Sequence, residues 1–84
     1  KPVVKDPVNV VILPNPASDY INVSLTGIDN MSFKMVDALG NLVLKDQVYG
    51  SKKINTSEFR SGVYFITFEG AGSKPFVKKV IIRH

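Results

Sequence analysis

The chain has 84 residues, of which 44% are hydrophobic and 21% are charged, and its formal net charge is +4. A chain of this length is one small domain, which buries only about 60–65% of the surface that its unfolded form exposes. The absence of cysteine excludes disulfide bonds and thiolate metal sites, and the longest apolar run is far shorter than the ~20 residues that span a bilayer.

The positive charge lies in the second half of the chain. Residues 1–42 hold three lysines and four aspartates, whereas residues 43–84 hold eight lysines and arginines and three acids. A basic half would suit an acidic glycan, a phosphate group or nucleic acid. Lysines on solvated strand faces explain the same charge, because lysine at a sheet edge discourages edge-to-edge aggregation.

Residues 1–7 are expected to form a linker, because they contain two prolines and charges of both signs without periodicity. They carry neither an initiator methionine nor an apolar signal segment, so we expect a longer protein from which this piece derives. The rest of the chain alternates short β-forming runs with turn signals at intervals of about 8–12 residues. The predicted strands are residues 8–13, 20–26, 31–36, 42–48, 52–56, 63–68 and 76–83.

Alternation of apolar and polar residues predicts which side chains point inward. These residues are, in chain order, Ile21, Val23, Leu25, Met31, Phe33, Met35, Leu42, Leu44 and Val48. Residues 63–68 are apolar on both faces, which is typical of a central strand, whereas the polar run 52–56 suits a sheet edge. Seven short strands without a convincing helix predict an all-β fold, a single antiparallel two-sheet sandwich of the immunoglobulin-like kind.

Three connections have distinct local chemistry. Pro14 and Pro16 flank Asn15, and both prolines fix φ and lack a backbone donor, so a rigid corner between strands is expected. In the connection after residue 36, Gly40 allows a positive φ and the Asp37 carboxylate can accept a hydrogen bond from a backbone N–H two residues on. Residues 56–62 are too short for a stable helix and predict a single turn.

The sequence contains no recognisable catalytic constellation. The only histidine is His84, at an end that is expected to fray, so a Ser-His-Asp arrangement is not available. The acids Asp6, Asp19, Asp29, Asp37, Asp46 and Glu58 are interpreted as turn or linker residues, and no calcium-loop spacing or glycine-rich phosphate loop is present. Residue patterns alone therefore indicate a small non-enzymatic β-sandwich with no metal and no cofactor.

Four motifs follow one another along the chain: LPNPASDYINV (13–23), VDALGNLV (36–43), INTSEFRSGVYFITF (54–68) and KPFVKKVIIRH (74–84). This ordered series resembles the type A C-terminal sorting domain of the type IX (Por) secretion system of Bacteroidota. The resemblance covers residues 8–84, with residues 1–7 left as a linker to an absent passenger domain that precedes Lys1.

The resemblance implies a secretion signal and not an enzyme. It implies that a larger passenger reaches the periplasm and that translocon and shuttle proteins of the type IX system recognise the folded domain. A sortase-like peptidase at the cell surface would then remove the domain, and the passenger would be attached to anionic lipopolysaccharide or released. No cofactor and no nucleic acid is implied.

The resemblance also implies which residues carry recognition or the sorting fold. By motif position they are Pro14, Asn15, Pro16, Asp19, Asp37, Gly40, Ser61, Gly62, Tyr64, Lys78 and Lys79. Phe59 stands where the family often has leucine. For most of these residues a purely structural role explains the residue type equally well. Lys78 and Lys79 are the best candidates for recognition, because neighbours on a strand face opposite sides and one ammonium group can stay free.

Other interpretations stay open at this stage. An immunoglobulin-like or fibronectin-like adhesion or carbohydrate-binding module would have the same sandwich, although no tryptophan and only three tyrosines are present. A nucleic-acid-binding barrel rests on the basic half alone. A partner strand could also add to residues 52–56 or 76–83, and the isolated domain could dimerise through such edges.

Overall fold

A computed structural model, which describes residues 8–70 and 72–84, has seven β-strands and no helix in this part of the chain. The strands are β1 (Asn9–Leu13), β2 (Tyr20–Thr26), β3 (Asn30–Asp37), β4 (Leu42–Tyr49), β5 (Ser51–Asn55), β6 (Gly62–Gly70) and β7 (Ser73–Ile82). All seven predicted strands are confirmed, with ends displaced by at most three residues. The predicted linker, residues 1–7, lies outside the described residues.

The strands form two antiparallel sheets. One sheet has the order β1-β2-β5 and the other the order β4-β3-β6-β7. The chain changes sheets between β2 and β3, between β4 and β5, and between β5 and β6, so the connectivity is that of an immunoglobulin-like sandwich. The prediction of the fold class is confirmed, and β5 lies at a sheet edge as expected.

The core lies between the two sheets, and both contribute alternate residues to it. Ile21 and Val23 from β2 and Met31, Phe33 and Met35 from β3 are almost completely buried, as the alternation predicts. Phe33, Phe68 and Phe76 form a connected aromatic row, with ring centroids 5.9 and 5.5 Å apart. Opposed apolar faces of this kind supply most of the favourable free energy of a small domain.

A β-bulge changes the predicted faces of β4. Met35 pairs with Leu44 and Val36 pairs with Leu42, so Val43 is an additional residue on the β4 side. Leu42 is consequently 57% exposed, while Val43 and Leu44 pack partly against the core. The prediction that Leu42 shares the buried face of Leu44 and Val48 is wrong, because counting residues by two fails across a bulge.

Strand β6 is central, as predicted, but it is buried on one face only. It lies between β3 and β7, with Tyr64, Ile66 and Phe68 inward. Its outward residues face away from the core, and Phe65 is 36% exposed. The outward apolar residues of this run lie on the outer surface of the sheet, because an antiparallel sheet in a sandwich has only one covered face.

Two charged or titratable residues also lie elsewhere than expected. Asp46 is inside β4 and not in a turn, and its carboxylate lies 3.3 Å from the Lys52 ammonium. The Gln47 N–H and then Lys52 lower the pKa of this carboxyl from its ordinary value. His84 does not fray from the domain, since it is held by hydrogen bonds to two loops.

Candidate functional site at one end of the sandwich

The four sequence motifs meet at one end of the sandwich. Strand pairing brings Leu13 beside Asn22 and Tyr20 beside Asn55 in the three-stranded sheet. In the other sheet the end of β3 meets the start of β6, and the start of β6 meets the end of β7. The β1–β2, β3–β4 and β5–β6 loops and the end of β7 therefore lie together. This region is called the motif end below.

The Pro14-Asn15-Pro16 segment attaches the three-stranded sheet to the edge of the four-stranded one. The Leu13–Pro14 and Asn15–Pro16 peptide bonds are cis. Asn15 uses its side-chain amide as a substitute peptide group: Nδ2 donates to the Lys79 carbonyl at 3.2 Å, and Oδ1 accepts from the Ile81 N–H at 3.0 Å. The expected corner is present, and it is also a direct contact with β7.

The pairing continues at Ala17, which forms a parallel bridge with Ile82. The Ala17 N–H donates to the Ile81 carbonyl at 2.8 Å, and the Arg83 N–H donates to the Ala17 carbonyl at 2.7 Å. Ala17 is only 1% exposed. The last part of β7 is therefore covered along its outer edge, and Asn15 occupies the position of a pairing residue.

The β3–β4 turn is organised around the Asp37 carboxylate. Oδ1 accepts hydrogen bonds from the backbone N–H groups of Leu39 and Asn41, each at 2.9 Å. The Asn41 N–H contributes most to holding the pKa of Asp37 below its ordinary value of 3.8. Gly40 has a φ of +88°, a conformation that favours glycine. The local chemistry expected of this turn is thus present.

The β5–β6 loop is fixed by the buried residue Tyr64. Its hydroxyl donates to the Arg60 carbonyl, four residues upstream, at 2.6 Å. This is the tyrosine corner of immunoglobulin-like sandwiches, with the tyrosine near the start of β6. Phe59 stacks on the Tyr64 ring with centroids 5.8 Å apart, so the single turn predicted here is packed and not loose.

His84 connects three parts of the motif end. Its backbone N–H donates to the Ser61 hydroxyl at 3.0 Å, and Nε2 donates to the Phe59 carbonyl at 2.6 Å. With the proton on Nε2, Nδ1 accepts from the Ser18 hydroxyl at 3.1 Å. The β1–β2 loop, the β5–β6 loop and the end of β7 are thus joined through one side chain.

The remaining motif residues lie around this end with different exposures. Lys78 is half-buried on the inward side of β7, whereas Lys79 is exposed on the outward side. The Asp19 carbonyl accepts from the Thr56 N–H at 2.8 Å, and the Asp19 side chain points to solvent. Gly62 begins β6 and pairs with Ile82.

An open cleft lies between two of the loops at this end. It has a volume of about 480 Å³ and is lined by the β3–β4 turn, Val43 and residues 58–64. Leu39 projects at its rim and is 87% exposed. The lining combines apolar surface from Phe59 and Leu39 with charged groups of Glu58 and Arg60.

Two further residues of the motif end lie within the motifs but are not among the site residues that the resemblance implies. Thr56 is completely buried, and its hydroxyl donates to the Ser18 carbonyl at 2.7 Å. The sequence did contain a signal for Thr56, since it ends an alternating run beside a turn. A threonine that is buried there needs a hydrogen-bond partner for its hydroxyl. His84 gave no such signal, since its partners lie 23–66 residues away in sequence.

The motif end offers hydrogen-bonded loops and exposed side chains. In residues 8–70 and 72–84, no three histidines, cysteines or acids are grouped as metal ligands would be. The same residues contain no helix that is long and apolar enough to cross a membrane. The buried polar side chains of this part of the chain all have hydrogen-bond partners. Such an arrangement can present a fixed surface to another protein.

Comparison with known proteins agrees with this picture. Residues 11–83 match the family described as "Secretion system C-terminal sorting domain". The chain is also 32% identical over 77 residues to an endo-acting ulvan lyase of Formosa agariphila, a match that covers 89% of this chain and 15% of the lyase. The chain therefore spans only a small part of the length of the relative that it matches.

Proposed function

The chain belongs to the family of secretion system C-terminal sorting domains, and from this premise we propose how it directs export. Membership makes it a type IX sorting signal for delivery to the cell surface or the extracellular space. We further propose that the type IX translocon and its shuttle proteins recognise the motif end. The passenger is attached before Lys1 during this recognition. The domain itself catalyses no reaction.

The observation that supports this proposal is the separation of the motif end from the start of β1. Asn9 pairs with Thr26, at the other end of the sheet from Leu13 and the Pro14-Asn15-Pro16 corner. The five residues of β1 give the distance from Leu13 to Asn9 as roughly 13 Å, at about 3.3 Å per residue. A passenger that leaves from the far end would not obstruct a receptor at the motif end.

We propose two groups of recognition residues within the motif end. Pro14, Pro16 and Lys79 are exposed and available for contact, while Lys78 adds a half-buried charge beside them. Asn15, Asp37, Gly40 and Tyr64 would act indirectly, because their hydrogen bonds and backbone conformations fix the loops. Asp19, Ser61 and Gly62 join these loops to their neighbours.

The later steps of export complete the proposal. The precursor would cross the periplasm in folded form, and a sortase-like peptidase at the surface would cleave before the sandwich, in or upstream of the linker formed by residues 1–7. The passenger would then be anchored to anionic lipopolysaccharide or released. A linker that contains Pro2 and Pro7 and lacks β periodicity is a suitable substrate, since a peptidase needs an unpaired extended chain.

A partner strand could add to an exposed edge during recognition. Strands β5 and β7 are sheet edges, which supports this mode, but Asn15 and Ala17 already cover β7 from Lys79 to Arg83. We therefore propose β5 as the better acceptor. The same edge could pair two isolated domains, and sedimentation equilibrium of the purified chain would reveal such a dimer.

The export proposal is tested by fusing residues 1–84 behind a Sec signal and a fluorescent reporter in a Bacteroidota host with a type IX system. We expect the reporter at the cell surface or in the medium, without the sorting domain attached. The same fusion in a strain that lacks the translocon is the control and should stay in the periplasm. An intact reporter fusion retained in the periplasm of the competent strain would contradict the proposal.

A glycan array separates export from an adhesion or carbohydrate-binding role. A binding module would retain affinity for glycans as a purified chain and would not depend on the secretion system. We expect the array to give no signal with the purified domain. Strong glycan binding, together with export of the reporter that is independent of residues 1–84, would favour the binding module instead.

A further inference from the structure

The outer face of the four-stranded sheet carries apolar residues that do not pack in the core. Leu42, Val36, Phe65 and Lys79 are successive cross-strand neighbours on β4, β3, β6 and β7. Leu42 is 57% and Phe65 36% exposed, and Val36 is half-buried. An apolar row thus crosses the outer face and ends at an exposed ammonium group.

The next row across this face contains two more lysines. Lys45, Lys34, Thr67 and Val77 are successive neighbours, and Val77 is 57% exposed. Lys34 and Lys45 face one another directly, and a like-charge pair in this position lowers sheet stability. They border a depression of about 130 Å³, to which Glu69 contributes one carboxylate against two ammonium groups. We call these two rows the lysine-rimmed face.

We propose that the lysine-rimmed face is a docking surface for an acidic protein, namely a component of the export machinery with an apolar centre and carboxylates around it. This inference rests on the proposed export function and adds a second contact, which adjoins the motif end and shares Lys79 with it. The charge arrangement carries it: Lys79 ends the row that contains Leu42 and Phe65, and Lys34 and Lys45 lie in the neighbouring row. An acidic rim would neutralise the Lys34–Lys45 repulsion, and the apolar centre would be removed from water.

Other occupants fit these residues less well. Two copies meeting through this face would place its three lysines near one another without enough acids to balance them. Single-stranded nucleic acid requires several aromatic stacking surfaces, whereas Phe65 is the one aromatic residue in the two rows. A partner protein with acidic side chains satisfies both the apolar and the basic parts.

The test uses Lys45→Glu in the reporter fusion of residues 1–84. This change replaces a like-charge pair by an opposite-charge pair with Lys34, so we expect the melting temperature to stay the same or rise by a few degrees. Export should nevertheless fall about fivefold or more. The control is the double variant Asn9→Glu with Asn22→Glu, which makes the same two-unit charge change at exposed residues of the other sheet. Its export should match that of the wild type.

A cross-link identifies the occupant. Because the chain has no cysteine, Val77→Cys introduces a single thiol that can carry a benzophenone group. Incubated with outer membranes of the competent host, the labelled fusion should cross-link to a type IX component. That product should disappear with membranes from the translocon-deficient strain and weaken with Lys45→Glu.

Several results would overturn the inference without touching the export function. Wild-type export by Lys45→Glu, or equal losses for Lys45→Glu and the Asn9→Glu/Asn22→Glu control, would do so. If no type IX component is cross-linked, three other results would also overturn it. These are charge-dependent binding to vesicles of equal parts phosphatidylglycerol and phosphatidylethanolamine, charge-dependent binding to a thymidine 20-mer, and a cross-link between two copies of the chain. Failure of the wild-type fusion to be exported would instead contradict the proposed function itself.

Discussion

At the scale of single residues, the loops of the motif end are held by side chains that satisfy backbone groups. Asn15 pairs with β7, Asp37 accepts from two turn N–H groups, and the Thr56 and Tyr64 hydroxyls donate to carbonyls. A buried backbone group without a partner costs free energy, so each of these residues stabilises its loop. The residue types at these motif positions are therefore explained by the stability of the loops, independently of recognition.

The Tyr64 hydroxyl can be tested by Tyr64→Phe. The substitution keeps the ring and its stacking on Phe59 but leaves the Arg60 carbonyl without its donor. We expect the free energy of unfolding to fall by about 1–3 kcal/mol, measured by urea denaturation. The control is Tyr49→Phe, since Tyr49 is 69% exposed and its hydroxyl bonds an exposed side chain. Equal effects of the two variants would contradict the role given to the tyrosine corner.

The Asp37 carboxylate predicts a pH dependence of stability. Because hydrogen bonds hold its pKa in the folded chain below the ordinary value of 3.8, its contribution is present above about pH 4 and is lost as the pH falls through the lower value. Asp37→Asn should therefore lower the urea midpoint at pH 7. As the pH falls through the lowered pKa, the Asp37 carboxylate of the wild type becomes protonated, and the two midpoints should converge. A difference between wild type and variant that stays constant while this carboxylate is protonated would contradict this account.

At the scale of strands, edges and register determine what the domain exposes. The bulge at Val43 turns Leu42 outward, and the position of β6 in the middle of its sheet leaves Phe65 on the outer face. The outer edge of β7 is covered by Asn15 and Ala17 near its end. Within residues 8–70 and 72–84, strand β5 has no such cover, but Lys52 and Lys53 make it unfavourable for accidental pairing.

The contact between the corner and β7 can be tested by Asn15→Ala. The variant loses both side-chain hydrogen bonds to β7, so we expect a stability loss of about 1 kcal/mol and faster hydrogen exchange at the Ile81 amide. The matched control is Asn22→Ala, an exposed asparagine in β2. Unchanged protection of the Ile81 amide in Asn15→Ala would show that the corner does not hold the end of β7.

At the scale of the whole molecule, the sandwich has two different ends. The four motifs and the end of β7 occupy one end, and the start of β1 lies at the other. The core between the sheets is one continuous cluster, so the two ends are held in a fixed relation. A receptor at the motif end and a passenger at the far end can therefore be engaged together.

This polarity predicts that the position of a reporter decides export. A reporter fused before Lys1 leaves the motif end free, whereas one fused after His84 stands beside it. The His84 contacts use its ring and its N–H, so a fusion after His84 should keep the melting temperature within about 3 °C, a change that corresponds to less than about 1 kcal/mol. We expect export to fall at least tenfold, measured by surface fluorescence. Equal export from both positions would contradict recognition at the motif end.

The sequence by itself determined the number of strands, most of the inward residues and the turn chemistry of Asp37 and Gly40, because these depend on near neighbours in the chain. The ordered motifs also determined the family. The tertiary structure decided that the four motifs meet at one end, that Asn15 pairs with β7, that His84 joins two loops, and that Leu42 and Phe65 face outward beside three lysines. These features depend on partners up to 66 residues apart and on one bulge, and no local pattern of residues specifies either.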